Sequence, residues 1–206
     1  MQLSRNAREL FAEQTDQDIW EHLRQGNDQA LEYFYRTYAK ELFNFGMKLY
    51  SKSEFVQDGL HELFVDLWNQ HQQLSSISSV KTYLFKSLKY KLHRQYSKEK
   101  YWINKVEYQE THHAEVEFSL ESHLIADQTT QENKLKILKS LEKLPARQKE
   151  VLHLLFDDGF SYEETAEIMG INVRSVYTLA WKGISSLKKC IKDFLLIVGF
   201  AFFIGY

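Results

Sequence analysis

The chain has 206 residues, 44% of them hydrophobic and 26% charged, the balance of a soluble globular protein of one domain or two small ones. Its single cysteine, Cys190, excludes an internal disulfide and suits a reducing cytoplasm. The net charge of −2 singles out no partner, but its distribution does: Lys81–Lys105 holds eight cations against Glu99 alone, 106–133 is acidic without Lys or Arg, and Asn172–Lys192 is basic without a carboxylate.

One proline, eight glycines and few alternating β-branched runs predict an all-α fold. The N-terminal stretch "MQLSRNARELFAEQ" lacks the apolar core of a signal peptide, so export is not expected. Asp16 is placed to cap a first helix ending near Gly26, and Asn27 or Asp28 to cap a second. That second helix, about Gln29 to Tyr50, repeats Leu31, Phe34, Tyr35, Tyr38, Leu42, Phe45 and Leu49 at three- and four-residue steps. Ser53 or Asp58 opens a third helix, "EFVQDGLHELFVDLWNQ". Its Phe55, Leu60, Leu63, Phe64, Leu67 and Trp68 supply core, while Asp58, His61, Glu62 and Asp66 lie on or near the exposed side. That side is either a solvated face or a partner surface.

The polar tract "NQHQQLSSISS" reads as a loop, and a fourth helix runs from Val80 to about Lys100. On a 100° wheel Val80, Leu84, Phe85, Leu88, Leu92 and Tyr96 form an apolar stripe, opposed by Thr82, Tyr83, Lys86, Tyr90, His93 and Arg94. Cations interleaved with aromatics suit single-stranded DNA, whose phosphates meet Lys and Arg while bases lie on rings; a solvated lysine face is the alternative. From Tyr101 to Gln131 no period is sustained, which reads as an acidic linker or solvated tether. A helix follows from Glu132 to Leu144, stopped by Pro145, and another from Arg147 to Phe156, ended at "DDG".

The stretch "GFSYEETAEIMGINVRSVYTLAWKGISSLKK" has the spacing of a helix-turn-helix. Two closely crossing helices need a small residue at the crossing (Ala166), a turn residue tolerating positive φ (Gly170) and an apolar anchor in the second helix (Val176). Ser161 and Glu164 are spaced as a capping box. Val176, Ala180, Gly183, Ile184 and Leu187 share the inner face of the second helix. Arg174, Thr178, Trp181 and Ser185 share the outer one, with Tyr177 and Lys182 at its edges. A guanidinium, hydroxyls and an aromatic are what a major groove asks for. A helical hairpin with a solvated basic face is the bland alternative. The chain closes on "DFLLIVGFAFFIGY", whose thirteen residues after Asp193 carry no charge. That length is short of the ~20 residues that span a bilayer. The tail therefore packs on a domain, docks an inhibitor or touches a membrane.

These motifs resemble the extracytoplasmic-function sigma factors of the sigma-70 superfamily, two-domain initiation subunits of bacterial RNA polymerase. "FVQDGLHELFVDLWNQ" resembles their region 2.2, D-x-x-Q-E-x-F-x-x-x-W, through Asp58, Glu62, Phe64 and Trp68, with His61 in the glutamine position. "SVKTYLFKSLKYKLHRQYSKEK" resembles regions 2.3 and 2.4, with Tyr83 for tryptophan and Lys89-Tyr90 for Arg-Asn. Residues 141–189 resemble region 4, with Lys182-Gly183 for Arg-Ala. The resemblance implies region 2 over 14–100, a linker over 101–131, region 4 over 132–192 and a hydrophobic tail over 193–206.

It further implies that Asp58, His61, Glu62, Asp66 and Trp68 bind core polymerase. Ser79, Lys81, Thr82, Tyr83, Lys86, Lys89, Tyr90, His93 and Arg94, with the Ser75–Ser79 loop, would capture the melted strand of the minus-ten element. Ser161, Tyr162, Arg174, Ser175, Tyr177, Thr178, Trp181, Lys182 and Ser185 would serve the duplex minus-thirty-five element. The linker would thread toward the RNA exit path, and an anti-sigma factor, soluble or membrane-bound, would be a further partner. No small-molecule substrate, cofactor, metal or covalent chemistry is implied, and the sequence offers no nucleophile–base pair, phosphate loop or metal spacing. A response-regulator type of helix-turn-helix protein is the alternative, but 1–100 lacks the strand–helix alternation of a receiver domain. A nuclease-like enzyme would need a carboxylate cluster that cannot be placed.

Overall fold

The computed structural model describes residues 10–106, 141 and 143–204, with the backbone alone for 99, 101–106 and 190–204. The chain divides into two compact units, Met1–Ala114 and Glu115–Tyr206. The described residues are helical, with no strand among them.

In the first unit the helices are α1 (Asp16–Arg24), α2 (Asp28–Leu49), α3 (Ser53–Asn69) and α4 (Val80–Val106), with a 3₁₀ turn at His71–Gln73 between the last two. Thr15, not Asp16, caps α1. Its hydroxyl accepts from the Asp18 N–H, and the Asp18 carboxylate accepts from the Thr15 N–H and hydroxyl. Those bonds hold the Asp18 carboxyl below its ordinary range. Asp16 instead accepts hydrogen bonds from the Tyr33 and Tyr38 hydroxyls, tying α1 to α2. Gly26, at φ 87°, makes the turn between them, and the Asn27 side chain accepts from the Gln29 N–H.

Trp20 and Ile19 from α1, Phe34 and Phe45 from α2, Leu63 from α3 and Leu84, Phe85, Leu88 and Leu92 from α4 form the core. Each such side chain contributes about 1.5–3 kcal/mol by leaving water. Two glycines set how closely the helices approach. A Cβ on Gly46 would lie 2.5 Å from Val56 Cγ1, and one on Gly59 would lie 2.4 Å from Leu92 Cδ2. Helix α4 continues past Lys100 to Val106, into what the sequence suggests is linker.

In the second unit α5 (Ala146–Leu152) runs into a π turn (His153–Asp157), followed by α6 (Tyr162–Met169) and α7 (Val173–Ile204). The Ser161–Glu164 capping box is formed, at 3.1 Å and 2.9 Å. Gly170 adopts φ 63°, so the Ile171 N–H reaches back 3.1 Å to the Ala166 carbonyl and closes α6. Asn172 then caps α7 through the Ser175 N–H at 2.8 Å. Ala166, Val176 and Ala180 are buried where α6 and α7 cross. The helix expected over Glu132–Leu144 and most of the linker fall on residues 107–140 and 142, outside the described residues. Residues 194–204 continue α7 without a break. Among the described residues no helix is long and apolar enough to cross a membrane.

Candidate nucleic-acid and partner interfaces

Three side chains of α1 hold the loop that leads into α4. Arg24 Nε donates to the Leu74 carbonyl at 2.7 Å, Trp20 Nε1 to Ser75 at 3.0 Å and Gln17 Nε2 to Ser78 at 2.7 Å. With its carbonyls so engaged, the loop holds Ser75, Ser76 and Ser78 exposed and Leu74 buried beneath. Ser79 begins α4 as its cap: the Thr82 N–H donates to Ser79 Oγ at 3.2 Å and the Thr82 hydroxyl donates to the same oxygen at 2.9 Å. Thr82 is only 2% exposed, so it does not belong to the outer face on which the wheel places it. Helix α4 packs against α1, α2 and α3, which buries a wider arc than one stripe. Tyr83 leans edge-on against Trp20, with ring centroids 5.1 Å apart. Lys81 pairs with Glu41 at 3.1 Å.

Between α3 and α4 lies a cleft of about 370 Å³. Leu63, Leu67 and Leu74 form an apolar floor, and Tyr83, Lys86, Tyr90 and Arg94 form the α4 wall. Tyr90 is 52% exposed, Arg94 is exposed and Lys86 is half-buried. Lys89 and His93 do not line the cleft, and His93 Nδ1 lies 3.5 Å from the Tyr50 hydroxyl. The expected strand-binding residues thus resolve into a cleft-lining set, a capping pair at Ser79 and Thr82, and flanking side chains. Gln70, Ser87 and Lys91 also line the cleft and carry no signal in a helical wheel of α4 alone.

The five residues expected to meet the polymerase do not share one surface. Glu62 and Asp66 turn toward α4, where Lys91 Nζ lies 3.4 Å and 2.5 Å from their carboxylates. His61 and Trp68 turn toward α2 and line a second, apolar hollow of about 400 Å³ with Leu31, Tyr35, Phe64 and Val65, rimmed by Asp28 and Glu32. Trp68 stacks on His71 at 5.2 Å, and His71 Nδ1 contacts the Trp68 carbonyl at 2.7 Å. Asp58 is exposed on α3, nearly three turns before Trp68. Tyr35, read from sequence as core, is half in water over this hollow and packs edge-on against Phe64 at 5.1 Å. A stripe using both three- and four-residue steps is wider than the face α2 buries, which is why its margin emerges here.

In the second unit Arg174, Tyr177, Thr178, Trp181 and Lys182 are exposed along α7, with Trp181 at 68%. Tyr177 stacks on Tyr162 from α6, at 4.0 Å between centroids and 10° between planes. The Thr178 hydroxyl donates to the Arg174 carbonyl at 2.9 Å, leaving its methyl and lone pairs outward. Ser175 is half-buried beneath the Asn172 cap. Ser185, expected on the outer face, is half-buried as well. On the inner face α5 packs on α7, where a Cβ on Gly183 would lie 3.0 Å from Leu152 Cδ1. Ser161 is committed to its capping box.

Residues 134–183 match the family model for sigma-70, region 4. This segment is thus similar to a sigma-70 region 4. The matched residues include the exposed outer face of α7 from Arg174 to Lys182. No protein of curated function matches the chain in sequence. Two solved structures share its fold. CnrH, in complex with the cytosolic domain of CnrY, is 16% identical with a TM-score of 0.59, over 86% of this chain and 97% of that one. The sigma factor RpoE from Bartonella quintana, in complex with the anti-sigma factor NepR, is 21% identical with a TM-score of 0.58, over 78% of this chain and 96% of that one. Among the described residues no three His, Cys, Asp or Glu side chains are grouped as a metal site would need.

Proposed function

We propose that this protein is a sigma factor of the extracytoplasmic-function type, which joins core RNA polymerase and directs promoter recognition, melting and initiation. The observation that carries the reading is the presence, in one chain, of a region 4 and of a separate helical unit with an aromatic and cationic cleft. Each surface suits a different state of DNA. Arg174, Thr178, Trp181 and Lys182 stand on a helix that fits the major groove of the minus-thirty-five duplex. Tyr83, Lys86, Tyr90 and Arg94 surround a cleft wide enough for an unstacked base, with cations for its phosphates; a duplex holds its bases out of reach of such a cleft. The pinned serine loop before α4 adds hydroxyls at the cleft's mouth, where the minus-ten strand would enter.

Core polymerase docks on the outer side of α3, at Asp58, His61 and Trp68, extended by Tyr35 and Leu31 of α2. An apolar hollow with a carboxylate rim fits a partner helix that carries aliphatic and cationic side chains. The protein does no covalent chemistry; it positions DNA for the polymerase. An anti-sigma factor, as in the RpoE complex, is the expected inhibitor, and a cytoplasmic location follows from these partners. The acidic stretch 106–133 acts as the connecting segment near the RNA exit path.

Reconstitution tests the reading. Full-length protein mixed with core polymerase should form a holoenzyme that transcribes from a subset of promoters selected out of a genomic library. A helix-turn-helix regulator of another type would bind duplex DNA alone and leave core polymerase inactive, and that result would overturn the proposal.

A further inference from the structure

Lys91 is the one described residue of the α4 cluster that is both cationic and nearly enclosed. It is 9% exposed, yet it lines the cleft beside Tyr90 and Arg94. Its ammonium is held by two carboxylates of α3, Asp66 at 2.5 Å and Glu62 at 3.4 Å. Those carboxylates are themselves half-exposed, and Asp66 lines the same cleft. A carboxylate there stands where a phosphate of a bound strand would stand: an anion within contact of a cation, beside rings that would take bases. A compact ammonium on a flexible stem can exchange one oxyanion for another with little rearrangement.

We infer that Lys91 is a further strand-binding residue, withheld in the free protein by Asp66 and Glu62. The inference rests on reading the cleft as the seat of the melted strand. The two carboxylates are half-exposed, so they can turn out to solvent as a phosphate takes their place on Lys91.

The test uses the full-length protein and a short fluorescein-labelled thymidine oligonucleotide, with affinity followed by anisotropy across a salt series. Glu62→Gln with Asp66→Asn should raise affinity several-fold, and the slope of log K against log salt should steepen by about 0.7, the value of one added phosphate contact on a single strand. Adding Lys91→Gln should return the slope to that of the parent. An affinity gain that survives Lys91→Gln would be simple relief of repulsion by the carboxylates and would overturn the inference. So would an unchanged slope in the double variant. Asp66→Asn alone leaves Glu62 to hold Lys91 and serves if the double variant is poorly folded; it should show part of the same steepening, and no steepening there counts against the proposal. Promoter-directed transcription by the wild-type holoenzyme is a separate arm. Its failure would sink the sigma-factor reading while leaving the Lys91 slope to be judged on its own.

Discussion

Trp181 and Arg174 stand on one side of α7 about two turns apart, and neither is drawn down onto the hydrophobic core. A single exposed apolar side chain is commonplace, but Trp181 shares its face with exposed Tyr177, and the face is cationic without a carboxylate from Asn172 to Lys192. Such a face gains by meeting methyl groups, sugars and phosphates. Arg174→Ala should therefore cost roughly 1–3 kcal/mol of upstream-element affinity, as for a lost guanidinium contact to a base edge. Trp181→Ala should weaken the same step, with holoenzyme assembly unchanged in both. Footprinting of holoenzyme on a cognate promoter checks this, and normal discrimination by both variants would contradict the placement of the reading face. Ser161 has a different kind of effect. Its hydroxyl satisfies the Glu164 N–H, so Ser161→Ala should lower the stability of the second unit by about 1 kcal/mol, read from its thermal unfolding. Part of any loss of DNA affinity in that variant is then a loss of folded helix-turn-helix.

At the scale of elements, the close approach of α2 and α3 depends on what is missing from Gly46. An added Cβ would meet Val56 Cγ1 at 2.5 Å and Leu92 Cδ1 at 3.3 Å, and both neighbours are fully buried. Valine is stiff about χ1 and has no easy way to yield. Alanine gains about 1 kcal/mol of helix propensity over glycine, whereas overpacking costs about 1–3 kcal/mol. Gly46→Ala should thus be net destabilising, with a lowered urea midpoint for the first unit; a raised midpoint would show that the helices can move apart freely.

How much of this was legible beforehand follows the same division between one helix and several. The helix-turn-helix was readable because each of its devices is local: a capping box three residues long, a glycine at the turn, an alanine at the crossing. The apolar stripe of α4 was readable as a single-helix period. Thr82 was misread because its burial comes from three neighbouring helices, which no wheel of α4 contains. The split of the α3 residues was hidden for the same reason: Lys91 lies 25 residues from Asp66, and only packing reveals that Glu62 and Asp66 face Lys91 while His61 and Trp68 line the hollow. Tyr35 emerged from an over-wide stripe whose margin the sequence could not set.

At the scale of the molecule, the proposed function asks two surfaces to act on the same promoter at different stages, and the two can be separated by template. On that proposal the second unit reads the minus-thirty-five element as duplex, so its contribution belongs to the first encounter. On the same proposal the cleft between α3 and α4 takes a strand already unpaired, so its contribution would persist when unpairing has been done in advance. A forked template that carries the minus-ten strand single-stranded and lacks the upstream duplex removes the first task and keeps the second. On that template Arg174→Ala holoenzyme should bind as wild type does. Tyr90→Ala with Arg94→Ala should remain weakened by about 1–3 kcal/mol, the worth of a base stacked on an aromatic ring. On the complete duplex promoter both variants should be defective. If the Tyr90 and Arg94 substitutions were harmless on the fork while Arg174→Ala was not, the assignment of the two surfaces would have to be reversed. Equal loss for both on both templates would mean that the units do not divide the promoter between them.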